Sequence, residues 1–123
     1  MAYRYEQAAK LEGKEWVGSH ECVALVQHYA GLPTTMHWKM GSGVRGNMTL
    51  PAGTAIATFK ERRYQNRRTG NHAAFYLGQE QFGIWVIEQF RRVPKGLIRK
   101  RFIAFRGGKG SPSDDGDAYA VIE

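Results

Sequence analysis

The chain contains one cysteine, Cys22, within the stretch GSHECVALVQHY (18–29), and four histidines: His20, His28, His37 and His72. A thiol becomes a nucleophile when its thiolate is stabilised. The mouth of a helix does this, because the unpaired N–H groups of the first turn and the positive end of the macrodipole favour an anion. The stretch around Cys22 reads as such a helix. Ser19 is an N-cap by residue type, Glu21 lies in the first turn, and Val23, Leu25, Val26 and Tyr29 recur at helical spacing until Gly31 and Pro33 end the run. With Ser19 as cap, Cys22 occupies the third helical position, and the backbone N–H groups of Glu21 and Cys22 are candidate oxyanion donors. A lone cysteine is more often a small, inert core residue, so the catalytic reading needs a base.

A nucleophilic cysteine needs an imidazole in hydrogen-bond reach, and the imidazole needs an orienting acceptor. His20 is two residues from Cys22 and points elsewhere, while His28 lies about 240° around the helix. His37 sits beside Trp38 in a glycine- and proline-rich segment, where both are candidates for lining a substrate groove. His72 starts a strand next to the small Ala73, and a rigid element holds a catalytic group best. His72 is therefore the candidate base.

Strand parity supplies the third member, since opposed residues of an antiparallel hairpin share a face. An odd-length turn centred on Glu80 pairs positions summing to 160 and sets His72 opposite Glu88. An even-length turn pairs positions summing to 161 and selects Gln89. The turn sequence GQEQFG lacks the Asn-Gly or Asp-Gly of two-residue hairpins, which favours the odd turn and Glu88. Gln89 is the alternative acceptor and a further candidate substrate contact.

Elements that would position these groups follow from pattern. Tyr5–Leu11 is a weak helix ending at Gly13. Residues 31–53 hold seven glycines and prolines and read as a long irregular connection. TAIATF (54–59), HAAFYLG (72–78), GIWVIEQF (83–90) and IRKRFIAF (98–105) read as strands, the last with one wet basic face. GGKGSPSDDGD reads as a flexible loop, and AYAVIE as a returning edge strand. One helix followed by antiparallel strands predicts an α+β fold, with residues 1–123 as a single domain.

The net charge of +7 is concentrated. Residues 1–59 carry five basic and four acidic side chains, residues 60–109 thirteen and three, and residues 110–123 four acidic side chains alone. So basic a half predicts an anionic partner. One cysteine excludes an internal disulfide. No run reaches the roughly 18 apolar residues of a membrane span, and the beginning MAYRYEQAAKLEGKEW lacks a secretory signal pattern. The expectation is a product made in the cytoplasm that leaves it, if at all, by a dedicated route.

The order of a cysteine on a helix N-terminus, a histidine on a strand and a polar residue on the next strand resembles the NlpC and CHAP branch of papain-like peptidases. ECVALVQHY is similar to their nucleophile helix, PAGTAIATF to the strand after it, GNHAAFYLG to the histidine strand and VIEQF to the strand carrying the third residue. Within that branch the chain most resembles the small peptidoglycan amidase effectors of type VI secretion systems, the third family of them in particular. The resemblance implies a papain-like fold, a Cys22–His72–Glu88 catalytic set and no metal or cofactor. It also implies hydrolysis of a peptide-stem amide in peptidoglycan, at the D-alanyl–meso-diaminopimelate crosslink or at γ-D-glutamyl–meso-diaminopimelate, the first preferred. Delivery to the periplasm of a target cell and an immunity protein in the producer follow from the same resemblance. One position departs from the pattern: Phe90 stands where many CHAP domains carry asparagine.

Other signals are weaker. GGKGS lacks Walker spacing, Asp114, Asp115 and Asp117 lack the EF-hand pattern, and the histidines show no zinc spacing. KERRYQNRR, with Tyr64 set among basic residues, supports the rival reading of a nucleic-acid-binding module. No binding fold accompanies it, so nucleic acid ranks below peptidoglycan as partner.

Overall fold

Alternating apolar residues in the second half of the chain assemble an antiparallel sheet. The computed structural model describes residues 1–91 and 96–123. Its strands are β1 (Met40–Gly43), β2 (Ala55–Thr58), β3 (Ala73–Glu80), β4 (Gly83–Glu88), β5 (Arg99–Ala104) and β6 (Tyr119–Ile122). They form one six-stranded sheet in the order β1-β6-β2-β3-β4-β5, with every neighbouring pair antiparallel. The helix α1 (Cys22–Ala30) packs on this sheet, an α+β arrangement.

Both faces of the central strands are buried, for different reasons. On one face Ala55, Ala57, Ala73, Phe75 and Ile87 meet Leu25 and Val26 of α1. Three alanines there leave room for a helix axis to come close. The other face gathers Ile56, Ala74, Tyr76, Ile84, Val86, Ile103 and Tyr119 with Val44. Among the described residues no helix is long and apolar enough to cross a membrane.

The start of α1 differs from the expectation. Ser19 is not the cap; Glu21 holds the N-cap position with extended backbone, and Cys22 is the first helical residue. Gly18 (φ +57°) and His20 (φ +71°) take left-handed backbone, closing a turn in which His20 N–H donates to Val17 O at 3.0 Å. That turn uses up Ser19, whose hydroxyl accepts only a long 3.4 Å bond from the Glu21 N–H. Gly31 ends α1 in left-handed backbone (φ +69°), with its N–H on Gln27 O.

The β3–β4 hairpin also differs. Glu80 pairs with Gly83, so the turn is two residues long rather than odd. A bulge at Leu77 then shifts the register, and beyond it Tyr76 faces Val86 and Phe75 faces Ile87. These pairs sum to 162, which is even, so His72 and Glu88 still share a face, as diagonal rather than direct partners. Gly83 lets β5 pair closely on the other side of β4: a Cβ there would stand 2.5 Å from the backbone oxygen of Ile103.

Three other elements depart from the pattern reading. The Tyr5–Leu11 helix is a single 3-10 turn, Ala8–Leu11, with Ala8 and Leu11 buried. The 31–53 connection contains the short edge strand β1. Its pairing places β6 inside the sheet instead of at its edge, continued by reciprocal Lys39–Glu123 backbone bonds of 2.6 and 2.7 Å. The acidic loop is tied down, since buried Asp115 accepts from the backbone N–H groups of Arg106, Gly108 and Asp117.

Candidate active site

Cys22 stands at the first position of α1, where its own N–H is among the helix donors left without an intrahelical acceptor. The second candidate oxyanion donor, the Glu21 N–H, is turned toward Ser19 Oγ. His72 immediately precedes β3 and is fixed through its backbone: its N–H donates to Thr58 Oγ1 at 3.0 Å, and its carbonyl accepts from Thr58 N–H at 3.0 Å. The imidazole is buried beside Cys22 and bonds through Nε2 to Glu88 Oε1 at 2.7 Å. With Nε2 occupied, Nδ1 is the nitrogen left for the thiol. The ring of Phe90 meets the imidazole edge-on, 6.0 Å between centroids, at the position opposite His72 in the extended register.

Glu88 is fully buried yet charged, because three cations converge on it. His72 is one. Arg99 Nε donates at 2.6 Å from the directly opposed position of β5, and Arg101 Nε donates at 2.9 Å from two residues on. Arg101 also reaches Asp114 at 3.0 Å and Ser113 O at 3.0 Å. The basic face of β5, read from pattern as wet, is thus partly turned onto a buried carboxylate.

Ionisation follows from these contacts. Burial alone would push the Cys22 thiol up; the hydrogen bond and charge of His72, a backbone N–H from Ala73 and the Tyr64 hydroxyl together hold it below an ordinary cysteine. Burial alone would lower His72, but Cys22 and Glu88 raise it to about 9. Burial opposes the charge on Glu88 as well, and His72, Arg101 and Arg99 bring it down to about 2. A depressed thiol beside a raised imidazole favours the thiolate–imidazolium pair over the neutral pair. Alkylation of Cys22 by iodoacetamide is therefore expected to have its pH midpoint below that of an ordinary cysteine, and kcat/KM to fall as pH rises through about 9, where the imidazolium proton leaves. In His72→Ala the alkylation midpoint should move to higher pH; an unmoved midpoint would mean that His72 does not set the ionisation of Cys22.

Tyr64 and Asn71, like Arg99 and Arg101, stand in the site without a catalytic signal in the sequence. The Tyr64 hydroxyl lies 3.7 Å from Cys22 Sγ and accepts from Asn71 Nδ2 at 3.2 Å, while its ring packs on Trp38, 4.8 Å between centroids. Burial and the neighbouring Cys22 raise the Tyr64 phenol, so it stays protonated and can donate to the sulfur. The other candidates are placed differently from the pattern reading. Trp38 is buried, its Nε1–H on Pro33 O at 2.9 Å, and acts as the wall behind Tyr64. His37 is exposed on the 3-10 turn Thr35–His37 and does not line the cleft holding Cys22. Gln89 is fully buried: its amide donates to Val17 O (3.0 Å) and Glu21 O (2.8 Å) and accepts from Val17 N–H (3.0 Å). It braces the segment feeding α1 and is unavailable as a substrate contact or an imidazole acceptor.

Cys22 opens onto a cleft of about 520 Å³, walled by Val23, Thr35, Tyr64, Arg67, Arg68 and Phe90. Among the described residues no group of three His, Cys, Asp or Glu side chains is arranged to hold a metal ion. A buried imidazole held by a carboxylate beside a cysteine of lowered pKa, at the floor of a cationic cleft, is equipped for acyl transfer.

Comparison with known proteins agrees with that chemistry. A "Type VI secretion amidase effector 2 protein" of Salmonella typhi is 40% identical over 134 aligned positions, covering 100% of both chains. A solved structure described as "Type 6 secretion amidase effector 2" superposes with a TM-score of 0.90 at 39% identity, covering 98% of this chain and 94% of the other. These matches correct the resemblance to the third effector family: the chain aligns with the second. The family "Domesticated amidase effector 2" matches residues 2–122, and the chain belongs to it.

Proposed function

We propose that the protein is a papain-like cysteine amidase that hydrolyses an amide of peptidoglycan stem peptides. The observation that carries this reading is the pairing of Cys22, first residue of α1, with a buried imidazole held at 2.7 Å by Glu88. The Cys22 thiolate attacks the amide carbonyl carbon, and the oxyanion forms beside the Cys22 N–H and the macrodipole of α1. His72 gives its Nδ1 proton to the leaving amine. The resulting thioester is then attacked by a water that His72 deprotonates, which releases the acid and restores the thiolate–imidazolium pair. Glu88 keeps the ring oriented and its charge compensated throughout.

Peptide stems of peptidoglycan fit as substrate because they are anionic and the cleft is cationic, and because relatives are named as amidase effectors. The bond assigned is the D-alanyl–meso-diaminopimelate crosslink, with γ-D-glutamyl–meso-diaminopimelate second. The biological role assigned is an antibacterial effector, carried by a type VI apparatus to a target periplasm and held in check by an immunity protein in the producer. The nucleic-acid reading loses its main support, since Tyr64 is buried against Trp38 and Cys22 and offers no ring to a base.

Digestion of purified diaminopimelate-type sacculi tests the assignment. New amine termini should appear, and mass spectra should show crosslinked dimers converted to monomers. Monomers shortened at the γ-glutamyl bond would reassign the cleavage, and sacculi left intact would overturn the amidase reading.

A further inference from the structure

The cleft over Cys22 continues into a second arm of about 510 Å³, lined by Thr69, Gly70, Arg91, Ser113 and Asp114. The two arms share Glu21, Arg68, Asn71 and Phe90, so Arg68 stands where they join. Charge is divided unevenly between them. Glu21 is paired with Arg91 at 3.4 Å and Asp114 with Arg101 at 3.0 Å, which balances the second arm. In the arm holding Cys22, Arg67 and Arg68 face the cleft with no carboxylate partner among the described residues.

Their placement is built into the site. Asn71 Oδ1 accepts from the Arg67 N–H at 2.6 Å, while Asn71 Nδ2 donates to the Tyr64 hydroxyl beside the sulfur. Left-handed backbone at Asn66 (φ +49°) and Gly70 (φ +87°) brackets the segment. One amide side chain thus links the backbone carrying the two guanidinium groups to the wall of the nucleophile.

We propose that Arg68, with Arg67, binds a free carboxylate next to the scissile amide and so selects the substrate's amine side. This proposal rests on the amidase reading above. In the D-alanyl–meso-diaminopimelate crosslink, the carbon bearing the scissile nitrogen also bears a carboxylate, placing that anion two bonds from the bond being cut. A lysine-type crosslink has only hydrogen there. A guanidinium accepts a carboxylate through two parallel N–H bonds, which distinguishes the acid from both its neutral carboxamide and the hydrogen analogue.

The test uses three soluble crosslinked stem dimers that differ only at that group: free acid, carboxamide and hydrogen. Wild type should cleave the free acid with kcat/KM about tenfold or more above the other two, the size of one charge-assisted hydrogen bond. Arg67→Gln/Arg68→Gln should collapse the ratio toward one through loss on the free acid, while Arg62→Gln, outside both arms, should keep it. Equal cleavage of all three dimers by wild type, or a preference that survives in the double variant, overturns the carboxylate assignment and leaves the amidase reading standing. Cleavage of none of them, with sacculi also untouched, overturns both.

Discussion

Cys22→Ala is expected to reduce peptidoglycan hydrolysis by three orders of magnitude or more, roughly the loss seen when the nucleophile of a catalytic set is removed. The fold should survive. Cys22 is buried at a helix start, and deleting one sulfur there costs on the order of 1 kcal/mol. His72 keeps its Glu88 contact, so no buried charge is abandoned. His72→Ala should match the loss of activity, because members of one catalytic unit are not additive: a thiol without its imidazolium neither ionises nor protonates the leaving amine. The double variant should be no worse than either single change. Amine release from sacculi measures activity, and thermal unfolding followed by circular dichroism reports the fold. His37→Ala, an exposed change outside the cleft, is the control and should hydrolyse at the wild-type rate. If His37→Ala were inactive and His72→Ala active, the base would be misassigned.

Glu88→Gln should damage both activity and stability, which separates its role from that of Gln89. The substitution keeps size and one acceptor but leaves Arg99, Arg101 and His72 converging on a neutral group. Breaking a buried ionic cluster by removing one partner costs about 3–5 kcal/mol, somewhat less here because Arg99 is partly solvated. Turnover should fall by roughly a hundredfold or more, as the imidazolium loses its counter-charge.

The pH dependence has a definite sign. Glu88 is depressed from 4.5 to about 2 in the folded protein, so its contribution is present above pH 4.5 and lost as pH falls toward 2. That shift corresponds to about 3 kcal/mol. Wild type should therefore lose stability steeply over that window, and Glu88→Gln should show a flatter acid limb. Gln89→Ala removes the brace on Val17 and Glu21, so it should lower stability while costing turnover much less. A reversed order in turnover would transfer the orienting role to Gln89.

How far the site was legible depends on the range of the interaction that makes each residue matter. Cys22 at a helix mouth is a local property, set by the apolar spacing of Val23, Leu25 and Val26 and by Gly31 at the far end. His72 and Glu88 were paired by strand parity, which constrains only whether two residues share a face. The turn proved to be even-length, and the Leu77 bulge restored an even sum, so the right pair emerged from the wrong register. A bulge leaves no clear mark in one sequence, because it is decided by how two strands twist against their neighbours.

The cap shows the same limit on a shorter scale. Ser19 has the chemistry of an N-cap, but left-handed backbone at Gly18 and His20 spends it in a turn. Tyr64, Arg99 and Arg101 belong to partners 42, 11 and 13 residues away. Alternating basic and apolar residues along β5 look the same whether the basic face meets water or a buried carboxylate. By itself, then, the sequence placed the candidate nucleophile at a helix mouth and the candidate base on one sheet face with an acid, since these placements follow from helical and strand periodicity. The tertiary structure alone decided which groups charge that acid, brace the loop into α1 and line the cleft, because burial and long-range pairing set those energies and neither has a period.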